Sequence, residues 1–416
     1  MKLLTQNKRN IFVFGAISAS IGYLFSIKLT SLGIIVFLIS WLLNFKNLKL
    51  GSFIKKNVLH LLVVFLLFLL LGSTYSVDLQ QAQEFIVRHL AFLLLPLVFL
   101  TIKPFNSKEC NIIIKIFVYA VTLFFIICAL NAVYRQVTFT NQGGPFNWYF
   151  FYRYDFLEIF EQHPTYVSMY ALLSLSFILD SGRKLFKRNW LRIFLLFAQV
   201  FAIVLYGSRI GYIILIILFS IYALKGLKLK PKKEKGKLGL IYLVVIIILL
   251  IASWNIPIVK ERILFTFGYQ QDYKFNNQET IKNGSPEKQG RLLLWKDALK
   301  LVKEKPLFGY GTGSNKVVLA QEYKERGHLL FLKKRYNSHN TYLDLLLIGG
   351  IPLLLLYLVI LGVLLYEGIR EKNYVLLSFF LIISITALTE TIFRSQGIVF
   401  FAFFYCLLLS TRKNNE

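Results

Sequence analysis

Long apolar runs alternate with short polar connections along this chain, and the runs define its elements. Leu61 to Gly72, Ile213 to Ala223 and Leu240 to Ala252 are almost unbroken Leu, Ile, Val and Phe. They lack the polar face, recurring every 3.6 residues, of a helix lying on a soluble core. A helix that crosses a bilayer needs about 20 mostly apolar residues. Twelve stretches read that way: 11–27, 29–45, 57–74, 84–102, 111–133, 164–180, 190–206, 208–224, 238–254, 341–366, 374–390 and 396–411. The predicted fold is all-α and integral to a membrane, with about twelve transmembrane helices and one large polar segment, 255–338, before the tenth. An even number of spans puts both termini on one side.

Composition agrees. Of 416 residues, 56% are hydrophobic and 17% charged, where ordinary globular chains carry about 25% charged residues. A soluble core and a disordered chain are both excluded. The net charge of +27 would point to nucleic acid in a soluble protein, but here its distribution reports topology. With the N-terminus in the cytoplasm, the inside connections hold 25 Lys and Arg, and the short outside ones hold only Lys28, Arg135, Arg153, Arg209 and Arg394. That bias over short loops is the positive-inside signal, and no nucleic-acid partner is expected. The 84 residues of 255–338 carry 16 basic and 8 acidic side chains and are exempt, because loops beyond about 60 residues translocate regardless of charge. Lys2, Lys8 and Arg9 precede the first apolar run; further spans follow at once, so this start is expected to be a retained helix. Cys110, Cys128 and Cys406 have no metal-ligand spacing and predict neither a metal site nor a disulfide framework.

Candidate chemistry then falls on the outer side. The connection 134–163 is aromatic, with Phe146, Trp148, Tyr149, Phe150, Phe151, Tyr152, Tyr154 and Phe156, as expected of a headgroup-level segment. In the long loop, Arg291 to Lys305 places Leu292, Trp295, Leu299 and Val302 on one helical face, predicting an amphipathic helix on the membrane ended by Pro306. PLFGYGTGS at 306–314 follows this helix and lacks a Lys-Ser/Thr pair, so a tight turn is favoured over a phosphate cradle. His339 and Asn340 stand at the mouth of the tenth span; a lone interfacial histidine is more often structural than catalytic. In LYGSRIGYIIL only Gly207, Ser208 and Arg209 separate two apolar helices. An arginine in such a turn is costly unless it meets an anion or snorkels to headgroups. Glu161 and His163 in EQHPTY, and Glu390 and Arg394 in ETIFRSQG, are further candidates, although the last two can satisfy each other at helix spacing.

Four of these stretches, in this order, resemble the O-antigen ligase/polymerase superfamily of bacterial envelope glycan enzymes: SRIG at 208–211, GRLLLWKDAL at 290–299, PLFGYGTGS at 306–314 and HNTYLDLLLIGG at 339–350. The large outer loop before the tenth span is similar too. The resemblance implies a GT-C-type glycosyltransferase of the inner membrane, with both termini cytoplasmic and its active site facing the periplasm. It would move a glycan from an undecaprenyl-diphosphate carrier to an acceptor hydroxyl, such as that of lipid A-core, with inversion and without metal or other cofactor. By motif, Arg209 and Arg291 match the family's essential arginines and His339 its essential histidine; Asn340, Glu161, His163, Glu390 and Arg394 would bind substrate. Guanidinium suits a leaving diphosphate because it grips phosphate oxygens bidentately and stays charged, and histidine can take a hydroxyl proton near neutral pH.

The expected organisation is 1–190 for spans one to six, 191–366 for the ligase-like core and 367–416 for the last two spans. Within the superfamily a ligase, a repeat-unit polymerase and a protein O-oligosaccharyltransferase remain open. A twelve-span flippase or transporter is the rival from another class; such proteins commonly show internal repeats and mid-membrane charges, whereas here no repeat is apparent and mid-span charges are few.

Overall fold

The computed structural model describes residues 2–44, 48, 50–53, 57–228, 286–393 and 395–410, and every regular element among them is helical. Numbering helices of five or more residues, the order is α1 (Lys2–Phe25), α2 (Ile27–Leu42), α3 (His60–Ser73), α4 (Leu79–His89), α5 (Ala91–Thr101), α6 (Ser107–Asn141), α7 (Pro164–Leu185), α8 (Asn189–Tyr206) and α9 (Arg209–Lys228). After residues 229–285 come α10 (Pro286–Glu304), α11 (Asn315–Glu325), α12 (Leu329–Lys333), α13 (Thr341–Arg370), α14 (Tyr374–Ala387) and α15 (Ser395–Ser410). Helices stand at eleven of the expected span positions; the ninth, 238–254, lies outside the described residues. Among the described residues, five stretches are long and apolar enough to cross a membrane: Leu79–Thr101, Ser107–Asn141, Asn189–Tyr206, Arg209–Gly226 and Thr341–Arg370. Ile27–Leu42, His60–Ser73, Tyr374–Ala387 and Gln396–Ser410 are apolar but shorter. The chain is a multi-pass membrane protein.

The centre of the bundle is filled by α7 and α15. Residues 164–178 and 397–409 are buried without interruption, which requires a helix apolar on all sides. Their rings interlock: Tyr170 packs 4.8 Å from Phe400, and Tyr23 of α1 packs 4.8 Å from Tyr170. The three cysteines are free and buried.

A second, smaller core lies at one end of the bundle. Leu294, Ala298 and Leu301 of α10 pack with Val318, Leu319 and Tyr323 of α11, Phe331 of α12, and Leu343 and Leu347 of α13. The side of α10 that packs on protein is therefore another one than the stripe expected to face the membrane. Trp295 and Val302 lie at its edge, while Leu292 and Leu299 stay exposed. The protein itself competes for this helix, and the register that buries Ala298 lets α10 approach α11 and α13 closely.

One break decides how this unit meets the bundle. Inside α13, Gly350 has φ 66° and ψ −157°, a conformation open essentially to glycine alone, and Pro352 two residues later has no N–H to give. Ile351 N turns away and donates to Pro306 O at 3.0 Å. The carbonyls of Leu347 and Ile348, which lose their helical partners, accept instead from Tyr310 N at 2.7 Å and Gly311 N at 3.0 Å. The glycine-rich stretch 306–314 thus supplies hydrogen bonds that the broken helix has lost, as irregular backbone within a membrane protein requires.

The same stretch is tied on its other side to the start of the chain. Thr312 donates from N to Gly72 O at 3.0 Å and from Oγ1 to Leu69 O at 2.6 Å. Ser76 Oγ donates to Thr312 O at 2.7 Å, and Val77 N donates to Ser314 Oγ at 3.0 Å.

A Cβ on Gly350 would collide with Leu307 O and lie 2.7 Å from Phe308 N, whereas one on Gly362, in the same helix, meets nothing within 4 Å. Gly350→Ala is predicted to destabilise the protein by about 2 kcal/mol or more, from backbone strain and weakened strap hydrogen bonds. Gly362→Ala is predicted to be neutral or stabilising by up to about 1 kcal/mol. Thermal unfolding of the two variants in detergent checks this, and equal melting temperatures would refute the strap.

Candidate functional site

At the end of the bundle where α10 to α12 sit, four chain segments converge on one carboxylate. Glu390 follows α14, which ends at Ala387, and its side chain is only 5% exposed. Its Oε2 and Oε1 lie 3.2 and 3.3 Å from His339 Nδ1. Oε1 is also 3.8 Å from His163 Nε2 and 3.6 Å from Arg291 Nη2. The chain has left the helix by residue 390, and Arg394, the partner expected at helix spacing, lies outside the described residues. Burial alone would raise the Glu390 carboxyl. The His339 hydrogen bond, with Arg291 and, when they are protonated, His163 and His339 as neighbouring positive charges, outweighs it and holds the group down to about 2.

The hydrogen bonds assign the protons on both rings. His163 is the N-cap of α7 and its Nδ1 accepts from Thr165 N at 3.3 Å, so the proton sits on Nε2, which faces Glu390. His339 presents Nδ1 to Glu390, which places its proton there and leaves Nε2 as the acceptor. The side chains of His163 and His339 are 23% and 21% exposed, so both are reachable from outside.

A buried knot keeps His339 in place. Its φ is 48°, a left-handed conformation that costs a residue with a Cβ about 1–2 kcal/mol. Asn337 Oδ1 accepts from His339 N at 3.2 Å, and Ser338 Oγ donates to Asp344 Oδ1 at 2.7 Å. Thr391 Oγ1 donates to Asp344 Oδ2 at 2.7 Å and accepts from Asn337 Nδ2 at 3.1 Å. Thr341 Oγ1 donates to Glu390 O at 2.7 Å and accepts from Ile392 N at 3.0 Å, while Tyr166 Oη donates to Thr391 O at 2.6 Å. Segments 337–341 and 390–392 are thereby stitched together, with histidine and glutamate facing each other. Asp344, fully enclosed at 2% exposure, is the shared acceptor. Reading the sequence did not single it out, although an aspartate within an apolar span is itself a signal. Asn340 acts here as the cap of α13, accepting from Leu343 N at 3.1 Å.

Arg291 is set by the acidic side of α10. Asp297 is fully buried against His328 Nδ1 at 2.8 Å and Arg326 Nη1 at 3.4 Å. Glu322 of α11 receives Lys300 at 2.8 Å and also Arg326. These contacts fix the register of α10, and Arg291, with 44% of its side chain exposed, reaches Glu390 from the rim.

Arg209 opens α9 and is half-buried. Gly207 ends α8 with φ 65°, and Ser208 Oγ accepts from Gly211 N at 3.3 Å, so this glycine and serine form the whole reversal. Arg153 and Tyr152 lie against Gly207. The Arg153 guanidinium lies 5.4 Å from the Tyr154 ring, and that ring lies 5.6 Å from His163. The Arg209 turn is therefore joined to the Glu390 cluster through the aromatic connection. Glu161 is exposed, with φ 50°, and takes no part in the cluster. The glycine-rich stretch is the strap described above, agreeing with its reading as a turn.

Residues 193–358 match a family model described as O-antigen ligase. All four motifs fall inside the matched stretch, so the resemblance to that superfamily of membrane glycan enzymes is borne out there. No curated protein matches the chain.

Two outcomes are expected from this geometry. Asn340→Ser keeps the cap and activity, whereas Asn340→Ala loses about 1 kcal/mol of stability; an Asn340→Ser variant that is stable yet inactive would return this residue to substrate binding. Because the Glu390 carboxyl is depressed in the folded protein, its stabilisation is complete above the ordinary glutamate value of about 4.3. It is lost as the pH falls from there toward about 2. Acid titration of stability should show this component in the wild type and lack it in Glu390→Gln.

Proposed function

We propose that this chain, whose residues 193–358 carry the O-antigen ligase match, is an inner-membrane glycosyltransferase. It moves a glycan from undecaprenyl diphosphate to an acceptor hydroxyl at the periplasmic face. The observation that carries the reading is the buried Glu390 with His339 Nδ1 against it and Arg291 of α10 3.6 Å away.

In the proposed reaction Glu390 orients His339 and stabilises the imidazolium that forms, as a carboxylate does behind any histidine base. His339 Nε2 takes the proton of the acceptor hydroxyl. The oxygen attacks the anomeric carbon, the bond from that carbon to the phosphate oxygen breaks, and the electron pair leaves with the lipid diphosphate. A single displacement inverts the anomeric configuration. Arg209 and Arg291 receive the charge that develops on the leaving group; Arg291, exposed and 3.6 Å from Glu390, can turn to an incoming anion. Fixed guanidinium charge does the work here, with no metal in the scheme. His163 holds the second edge of the glutamate.

His339→Ala is expected to lower turnover about 10²–10⁴-fold, the usual range for loss of a general base, and Arg209→Ala and Arg291→Ala to abolish glycan assembly at normal protein levels. Normal surface glycan in all three variants would overturn the mechanism. Deleting the gene and resolving surface glycan on a gel identifies the acceptor. Polymer retained on the carrier means a ligase onto lipid A-core, a single repeat on lipid A means a polymerase, and unglycosylated protein with unchanged lipid means a protein O-oligosaccharyltransferase. Purified protein that moves lipid-linked glycan across liposomes and forms no glycosidic bond would establish the flippase instead.

A further inference from the structure

Beneath the Glu390 cluster lies a second carboxylate, enclosed by the bundle. Asp344 stands in the first turn of α13 and is 2% exposed. Its neighbours decide its charge. Asn337 Oδ1 accepts from His339 N, so this amide cannot turn over, and its Nδ2 donates to Thr391 Oγ1 at 3.1 Å. The single proton of Thr391 therefore goes to Asp344 Oδ2 at 2.7 Å. Ser338 Oγ accepts from Asn340 N at 3.2 Å and donates to Asp344 Oδ1 at 2.7 Å. The side chain of Asn315, the buried first residue of α11, also hydrogen-bonds the Asp344 carboxyl. A carboxyl met by three donors is held ionised, and the N-terminal turn of a helix favours a negative charge.

Geometry alone does not call for that charge. An asparagine at 344 would bond Ser338 and Thr391 as well, because the serine hydroxyl accepts as readily as it donates. What the aspartate adds is a negative charge out of water, where screening is weak. His339 is one of the groups with which this charge interacts, and Ser338, its immediate neighbour in the chain, is one of the donors. The other titratable or charged groups around His339 are Glu390 after α14, His163 at the head of α7, Arg291 of α10 and Tyr336 in its own loop. Tyr323 of α11 faces Asp344.

We propose that Asp344 is a positioning residue of the reaction whose charge stabilises the imidazolium formed when His339 takes the acceptor proton. The histidine then works between two carboxylates: Glu390 bonded to its Nδ1, and Asp344 in the knot that carries its backbone. This rests on the glycosyltransferase reading for the source of the proton, whereas the coupling of Asp344 to His339 can be measured without any sugar transfer.

The test treats the full-length protein in nanodiscs with diethyl pyrocarbonate, which modifies the unprotonated imidazole, and follows each histidine by mass spectrometry as the pH is varied. The His339 side chain is 21% exposed and the His163 side chain 23%, so the reagent reaches both. Without the Asp344 charge the His339 ring holds its proton less tightly. In Asp344→Asn the pH midpoint of His339 modification is expected to fall by about one unit, the effect of one charge at about 10 Å and an effective dielectric constant of about 20. His163 should keep its midpoint, whereas Glu390→Gln, the positive control, should move both rings. With lipid-linked glycan as substrate, the acid limb of kcat should move down with His339 at an unchanged KM. Asp344→Ser, which leaves room for a water between Ser338 and Thr391, should give the same shift and replaces the asparagine variant if that one does not fold. An unmoved His339 midpoint in a folded variant would leave Asp344 a part of the knot alone and overturn the proposal, as would an equal shift of His163, the sign of general loosening. If His339 shifts alone and the wild type transfers no glycan, the coupling stands and the glycosyltransferase reading falls. If glycan is transferred and His339 does not shift, the reverse holds.

Discussion

A helix broken within a membrane protein must have its backbone groups satisfied by other protein, and that requirement organises this molecule. Gly350 and Pro352 free the carbonyls of Leu347 and Ile348 and turn Ile351 N away. Each finds its partner in the stretch 306–311. With water scarce, leaving such groups bare would cost several kcal/mol apiece, so the strap cannot be moved or deleted without unmaking α13. Because the strap is fixed, α10 before it and α11 after it are fixed as well, and with them Arg291. The loop that carries His339 continues directly into the first turn of the same α13. Two of the groups that meet at Glu390 therefore owe their positions to one glycine.

The site itself is arranged in two tiers. Above, around Glu390, the groups are charged or chargeable and partly open to the outside. Below, around Asp344, they are hydroxyls and amides of Asn337, Ser338 and Thr391, enclosed by the bundle and bonded to one another or to the carboxylate. The lower tier holds the upper one: it keeps His339 in a left-handed conformation that few residues adopt and joins the entrance of α13 to the turn after α14. A buried carboxylate served by two hydroxyls at 2.7 Å is a costly way to build a turn, unless the turn must stay in one shape while charge changes hands beside it.

Much of this was legible in the sequence because membrane spans are written in composition. A run of Leu and Ile is helical and buried in lipid whatever packs against it, so helix positions along the chain followed from hydropathy. The motifs placed Arg209, Arg291 and His339 on the same side through topology alone. Partnership was harder to read. Glu390 has an arginine four residues on, which offers a local partner in the sequence, while its contacts with His339 and His163 come from segments 51 residues and more away and leave no pattern there. The apolar residues of α10 cover more than one face: the stripe of Leu292 and Leu299 stays exposed, while the packing of Ala298 against α11 and α13 was not written in that stripe. Asn340 drew notice through its neighbour, and the cap that its Oδ1 supplies to α13 was not legible there. Single residues in polar loops carry little pattern, and long-range pairs leave none.

The strap also joins parts of the chain made at different times. Thr312 supplies the donors for Leu69 O and Gly72 O at the end of α3, and Ser76 is bonded to the same segment. A ribosome will have delivered α1 to α9, and the membrane will have received most of them, before residue 312 exists. Until then the last turn of α3 lacks these partners, and the hairpin into α4 has no lock. The first half of the bundle is thus inserted early and finished late, and its completion coincides with the arrival of the segment that carries the histidine.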